Sequence, residues 1–96
     1  MKISIDYEAL QWFQEELRIK HGESVRFTVR YRGDSSIQPG YSLGIVAEKP
    51  DGEIVSVERE GIVFFVNSDD LWYFQNYDLV VSYQEEMEEI QFNYVK

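Results

Sequence analysis

The alternation of apolar and polar residues changes period several times along the chain, and each change marks an expected element. Residues 2–5, Lys-Ile-Ser-Ile, alternate strictly and predict a short strand. Asp6 then suits a helix cap, because its carboxylate can accept a bond from an otherwise unpaired backbone N–H. From Tyr7 to about Ile19 strong helix formers dominate. Leu10, Phe13 and Leu17 recur there at helical spacing, with Ala9 beside them. These four are expected to be buried, with Glu8, Gln11, Glu15 and Glu16 in water. Gly22 is expected to close the helix in a left-handed conformation, placing Lys20 and His21 near the negative end of its dipole.

Residues 24–31 return to period two. Val25, Phe27, Val29 and Tyr31 face one side, and Arg26, Thr28 and Arg30 the other. Between Arg30 and Gly44 lies the one long segment rich in turn residues: Gly33, Asp34, Ser35, Ser36, Pro39 and Gly40. A loop held by a rigid scaffold is where a small domain usually carries function. After it, Tyr41, Leu43, Ile45 and Ala47 resume the alternation, and the Pro-Asp-Gly turn at 50–52 leads to a strand over 54–58. A turn at Glu60-Gly61 precedes Ile62–Val66, which is apolar on both faces and so predicts a central strand covered on both sides. Ser68 is the expected cap of a second helix, with Asp69 and Asp70 in its first turn. This helix is short and aromatic, over Leu71–Phe74, and Trp72, Tyr73 and Phe74 are read as core. A strand over 78–83, a charged bend over Glu85–Glu89 and a final edge strand over Ile90–Tyr94 complete the chain. This order is that of an α+β fold with a mixed or antiparallel sheet.

Length and composition narrow what such a fold can do. Ninety-six residues make one domain, 1–96, with one core. Apolar residues at 44 % and aromatics at 16 % indicate a packed globule. No apolar run approaches a membrane span and the N-terminus lacks a signal-peptide core, so the cytosol is the expected compartment. The absence of cysteine removes disulfides, thiolate nucleophiles and thiolate-ligated zinc or iron–sulfur clusters within one chain. A single histidine, His21, removes multi-histidine metal sites and leaves one candidate base for a Ser-His-Asp arrangement. Nine Lys and Arg against eighteen Asp and Glu give a net charge of −9, which repels a phosphate backbone and argues against nucleic acid as a partner. Yet Arg18, Lys20, Arg26, Arg30 and Arg32 all gather just ahead of the long loop.

Candidate chemistry is sparse. Helix-start preference accounts for Asp69 and Asp70, and solvation accounts for the Glu85–Glu89 run. His21 has no placed nucleophile or orienting acid beside it. Arg26, Arg30 and Arg32 lie along one strand face, where forked hydrogen bonds could hold a carboxylate, a phosphate or an acidic partner. No phosphate loop, dinucleotide fingerprint or zinc spacing is present.

Several segments, taken in order, resemble the HesB/IscA family of A-type iron–sulfur cluster carriers. The opening helix with Val25-Arg26-Phe27-Thr28-Val29 is similar to the family's first helix and strand. Gly33-Asp34-Ser35-Ser36 with Tyr41-Ser42-Leu43 resembles its Gly-Cys-Ser-Gly segment and the Tyr-containing strand after it. Gly61–Val66, Leu71–Phe74, Leu79–Tyr83 and Phe92-Asn93 resemble the segments that follow. Under this resemblance the family's first cluster-ligating Cys aligns with Asp34, and its Cys-Gly-Cys tail has no counterpart before Lys96. The likeness is closest to a cysteine-poor branch of HesB-like proteins from Gram-positive bacteria, the YneR type.

The resemblance implies a HesB-like, barrel-like β core with one long N-terminal helix and one short aromatic helix. The functional expectation is a non-enzymatic binding or accessory protein without a cofactor. A protein partner or a small anionic ligand would meet Arg26, Arg30, Arg32, Asp34, Ser35 and Ser36. Edge strands give a second copy as a further partner. The alternative is a hard cation held through oxygen by Asp34 together with other carboxylates.

Overall fold

A computed structural model describes residues 1–96. The chain forms β1 (Ile3–Ile5), α1 (Tyr7–Glu15), β2 (Ser24–Arg30), β3 (Ser42–Ala47), β4 (Ile54–Arg59) and β5 (Ile62–Asn67). A 3₁₀ helix (Ser68–Phe74), β6 (Asp78–Gln84) and β7 (Glu89–Val95) follow. The α+β class and the mixed sheets are as expected; closure into a barrel is not. The strands divide into a sheet ordered β1-β6-β7 and a sheet ordered β3-β2-β5-β4. Each contains one parallel pair, β1 with β6 and β2 with β5, and the other pairs are antiparallel. The two sheets keep free edges, so the core lies between layers.

Phe13 of α1 is fully buried and meets Phe64 edge-on with ring centroids 5.0 Å apart, and Phe27 at 6.3 Å. Phe27 in turn touches Phe92 of β7 at 5.7 Å, so one ring contacts the helix and a strand of each sheet. β5 is central, as its double apolar face requires. Phe64 points into the core. Phe65 is equally buried on the opposite face, where its register partner on β2 is Arg26.

The helix ends four residues before the expected point. Arg18 (φ 56°) is the left-handed residue after the helix, and Gly22, whose φ is also positive at 93°, lies in the later turn before β2. The Ile19 N–H returns to the Phe13 carbonyl at 3.0 Å. The reason is Ile19. At about 100° per residue it would sit roughly 200° from Leu17, on the wet side of a continued helix. Unwinding brings Ile19 into the core at 8 % exposure and leaves Leu17, expected inside, 42 % exposed. Lys20 and His21 are accordingly in a turn before β2 and not at the helix end. Asp6 occupies the cap position without a side-chain bond; its carbonyl accepts from Leu10 N–H and its own N–H donates to Val81.

The second helix is a 3₁₀ helix capped by Asn67, and Ser68 is its first residue and not its cap. Its three residues per turn cannot direct Trp72, Tyr73 and Phe74 to one side. Tyr73 and Phe74 are buried, whereas Trp72 is 47 % exposed, against the expectation of core. β2 stops at Arg30, so Tyr31 leaves the strand face and is 80 % exposed. No helix is long and apolar enough to cross a membrane.

Glu60 and Gly61 connect β4 and β5 as a two-residue turn with both φ positive, 50° and 74°. A Cβ on Gly61 would collide with Cδ2 of His21, whose ring packs against this turn. Gly61→Ala is therefore expected to cost about 1–3 kcal/mol and to lower Tm by at least roughly 4 °C. In thermal melts, adding His21→Ala should restore the steric part of that loss and leave the cost of the positive φ.

Candidate functional site

The loop between β2 and β3 is a self-closed structure. Gly33 turns the chain at φ 76°, and Asp34 and Pro39 form an isolated antiparallel bridge. The Asp34 carboxylate accepts the Gly40 N–H through Oδ1 at 2.7 Å. Ser35 and Gln38 close the tip with three bonds, one of them from Ser35 N–H to the Gln38 carbonyl (3.4 Å). Gln38 N–H donates to Ser35 Oγ (3.1 Å), and the Ser35 hydroxyl donates to the Gln38 carbonyl (3.3 Å). The Ser42 hydroxyl donates to the Arg32 carbonyl (2.8 Å), and the Gln75 amide donates to the Ile37 carbonyl (3.2 Å). These last two bonds tie the loop to β3 and to the end of the 3₁₀ helix.

Held in this way, the loop borders a cavity of about 560 Å³. Asp34, Ser35 and Ser36 line one side, Ser42 and Leu43 of β3 a second, and β7 from Ile90 to Tyr94 the third. Asn93 is fixed by donating to the Val80 carbonyl (3.1 Å) and to Ser82 Oγ (2.8 Å). The Tyr94 and Tyr73 hydroxyls share a 2.7 Å hydrogen bond. Burial, and then the Tyr73 hydroxyl, push the Tyr94 phenol well above the ordinary tyrosine range, against a smaller opposing effect of Ser35. The lining is hydroxyls, amides and apolar side chains with one carboxylate. It holds no imidazole, amine or thiol to serve as base or nucleophile. The contribution of β7 was not expected; the signal was the polar alternation of Gln91 and Asn93 in a strand read only as an edge.

The three arginines separate. Arg26 pairs with Glu48 (3.2 Å) and Asp70 (3.0 Å), the two ion pairs of the chain. Burial opposes its charge, but the hydrogen bonds and charges of Asp70 and Glu48 more than offset this and hold its pKa above the usual value. Arg26 thus staples the 3₁₀ helix to the sheet, and Asp70 has a partner beyond the helix dipole. Arg30 and Arg32 are exposed and make no ion pair. The Arg30 side chain lies across Gly44, where a Cβ would approach its Cδ to 2.6 Å. Beside the loop, Tyr31 and Tyr41 meet edge-on at 5.5 Å, and Tyr41 meets Trp72 at 5.2 Å. The loop is therefore flanked by a ladder of partly exposed aromatic rings and two free guanidinium groups. No three His, Asp or Glu side chains are grouped so that they could hold a metal ion, so Asp34 lacks the carboxylate companions expected for a hard cation.

The sequence profile of the iron–sulphur cluster biosynthesis family matches residues 1–95. The chain belongs to this family. It is 47 % identical over 94 residues to a Bacillus subtilis (strain 168) protein named pyruvate dehydrogenase inhibitor, covering 98 % of this chain and 99 % of that one. A Staphylococcus saprophyticus protein without an assigned role is 30 % identical over 95 residues, covering 96 % of this chain and 97 % of that one. Among solved structures, Escherichia coli SufA, described as involved in biosynthesis of iron–sulfur clusters, aligns at a TM-score of 0.59 with 19 % identity. That alignment covers 98 % of this chain and 86 % of SufA. IscA with a [2Fe-2S] cluster aligns at 0.55 with 16 % identity, covering 96 % of this chain and 79 % of that one. At these identities the two structures establish the fold. The HesB/IscA resemblance read from the sequence is thereby borne out, while this chain carries no cysteine.

Tyr94 keeps its proton at pH values where the unfolded chain loses it. Its contribution to stability is therefore complete below the ordinary tyrosine pKa of about 10 and is lost as pH rises beyond that. Tyr94→Phe should cost about 1 kcal/mol near neutrality, through the lost bond to Tyr73, and should flatten the alkaline fall in stability. Ultraviolet titration of the folded protein checks the assignment: the phenolate amplitude near pH 11 should be the same in both proteins.

Proposed function

We propose that this chain is a non-enzymatic, protein-binding member of the iron–sulfur biosynthesis family that inhibits the pyruvate dehydrogenase complex. The observation that carries the reading is its near full-length likeness, at 47 % identity, to the Bacillus relative named for that inhibition. The local chemistry agrees. Where the family resemblance places a thiolate, Asp34 spends a carboxylate oxygen on closing its own loop. Thiolate cluster carriage by this chain alone has no ligands.

The neighbouring surface suits a protein partner. Arg, Tyr and Trp are the side chains that most often dominate binding energy at interfaces, and here Arg30, Arg32, Tyr31 and Trp72 are grouped around a rigid loop. Arg30 and Arg32 make no ion pair on a chain of net charge −9, which leaves both guanidinium groups open to a partner. They suit carboxylates on the partner, which guanidinium groups hold by paired hydrogen bonds. Asp34, Ser35 and Ser36 lie beside them.

The direct test adds the purified chain to the Bacillus subtilis pyruvate dehydrogenase complex and follows pyruvate turnover. A saturable fall in rate is expected; an unchanged rate at large molar excess sinks the proposal. In parallel, reconstitution with iron and sulfide should leave the protein colourless, and a stable brown holoprotein with a stoichiometric cluster would contradict the non-carrier reading. Arg30→Glu with Arg32→Glu should weaken inhibition at least about tenfold, the equivalent of about 1.4 kcal/mol, with the thermal melt unchanged. Undiminished inhibition by that folded variant would remove this face from the interface.

A further inference from the structure

The four-stranded sheet ends at β3, and no strand pairs with its outer edge. One bond establishes which backbone groups face outward. Glu48 N–H donates to the Ser24 carbonyl (3.3 Å), so residues 24 and 48 face one another across the ladder. By the alternation of an antiparallel pair, Ser42, Gly44 and Val46 also turn their amides toward β2. Leu43, Ile45 and Ala47 therefore direct N–H and C=O groups out of the sheet. Edge strands are normally blunted by charge, proline or a bulge. The β3 segment, Ser-Leu-Gly-Ile-Val-Ala, has neither a charge nor a proline, and its register with β2 runs without interruption.

Alongside this edge is a groove of about 420 Å³ lined only by apolar side chains. Ile45 and Ala47 come from β3 and Val25 from β2; Trp12, Leu17 and Ile19 come from α1 and the segment where it unwinds. The early end of the helix leaves Leu17 here, 42 % exposed and without a partner. Trp12 also borders a second, acidic hollow with Glu8, Glu15 and Glu16. Tyr83 lines the same hollow. Its phenol is held above the ordinary range by burial and then by Glu88, Glu16, Glu85 and Glu8, which places these carboxylates in one region.

We propose that the open edge of β3 and its groove receive an extended, basic segment of a partner protein as an added strand. The strand's backbone pairs with Leu43, Ile45 and Ala47, and its apolar side chains enter the groove. Lysines or arginines at its end beside α1 reach Glu8, Glu15 and Glu16. Charge decides between occupants. A second copy also carries a net charge of −9 and would bring more carboxylates to an acidic margin, whereas a basic strand neutralises them. That the segment belongs to the pyruvate dehydrogenase complex rests on the function proposed above; the chemistry of the groove does not.

The test uses the full chain and a fluorescent peptide of about ten residues, alternating Val and Thr and ending in three lysines. A second peptide has glutamates in place of the lysines. Two variants address the two halves of the site. Leu17→Glu puts a charge in the groove, and Ala47→Pro removes an outward N–H, a change that an edge strand tolerates. Anisotropy should show the lysine peptide binding at least about tenfold more tightly than the glutamate peptide, and the same loss for each folded variant. Hydrogen exchange of the unaltered chain should slow at Leu43, Ile45 and Ala47 when the lysine peptide is added, a readout that does not depend on the variants folding. Equal binding of the two peptides, or unchanged exchange at those amides, overturns the proposal. So does a dimer of the unaltered chain that Leu17→Glu dissolves in sedimentation, since a second copy would then cover the groove. If the unaltered chain leaves pyruvate turnover unchanged while the peptide results hold, the inhibitory function fails and the groove stands. If it inhibits and both folded variants inhibit equally, the segment does not belong to that complex, the function stands, and the peptide and exchange results decide the groove.

Discussion

Phe27 is the side chain on which the arrangement depends. It alternates inward on β2, meets Phe13 of the helix, lies stacked with Phe64 of the neighbouring strand and reaches Phe92 in the other sheet. The two sheets share no backbone ladder, and apart from the Arg59 guanidinium donating to the Ile5 carbonyl their relation rests on packing across the gap. A buried phenylalanine stabilises by roughly 1.5–3 kcal/mol. Phe13, Phe27 and Phe64 are buried in mutual contact, and the half-buried Phe92 against Phe27 joins them to the second sheet. The cavity under the loop lies between β3 and β7, one outer strand of each sheet.

Most elements were legible because each side of every layer has a distinct polarity. The alternation of Val25, Phe27 and Val29, the doubly apolar Ile62–Val66 run and the Leu10–Phe13 stripe each specify an element and a face. What could not be read locally was the competition between positions. Leu17 and Ile19 are both apolar and cannot both face the core of one continuous helix. Only the position of the sheet selects Ile19, and the price is an early helix end and an exposed leucine. Trp72 was misassigned for a related reason. A hydrophobic triplet reads as core, but the tight pitch of a 3₁₀ helix sends one of three neighbours outward.

The candidate site was half legible. The turn residues marked the loop, and the order of motifs marked its family. That Asp34 closes the loop instead of facing a ligand depends on a bond to Gly40, six residues on, which no periodicity encodes. The separation of Arg26 from Arg30 and Arg32 was equally hidden. All three follow the same alternation, yet only Arg26 has Asp70 and Glu48 within reach, because the 3₁₀ helix folds back over that end of the strand.

The loop keeps its shape without a metal ligand because its polar groups satisfy one another. In a loop organised by a bound group, removing the ligating side chain leaves backbone donors and acceptors to find water or collapse. Here Gly40 N–H, the Gln38 and Arg32 carbonyls and the Ile37 carbonyl all have protein partners. A carboxylate at position 34 performs structurally what coordination would otherwise do. Around it, two unpaired arginines and exposed aromatic rings stand beside the loop, and an apolar groove opens toward the far end of β3. Both are surfaces suited to a protein. A fold shared with SufA and IscA thus holds here without a cysteine, because its stability lies in the phenylalanine cluster and in a loop that closes on itself.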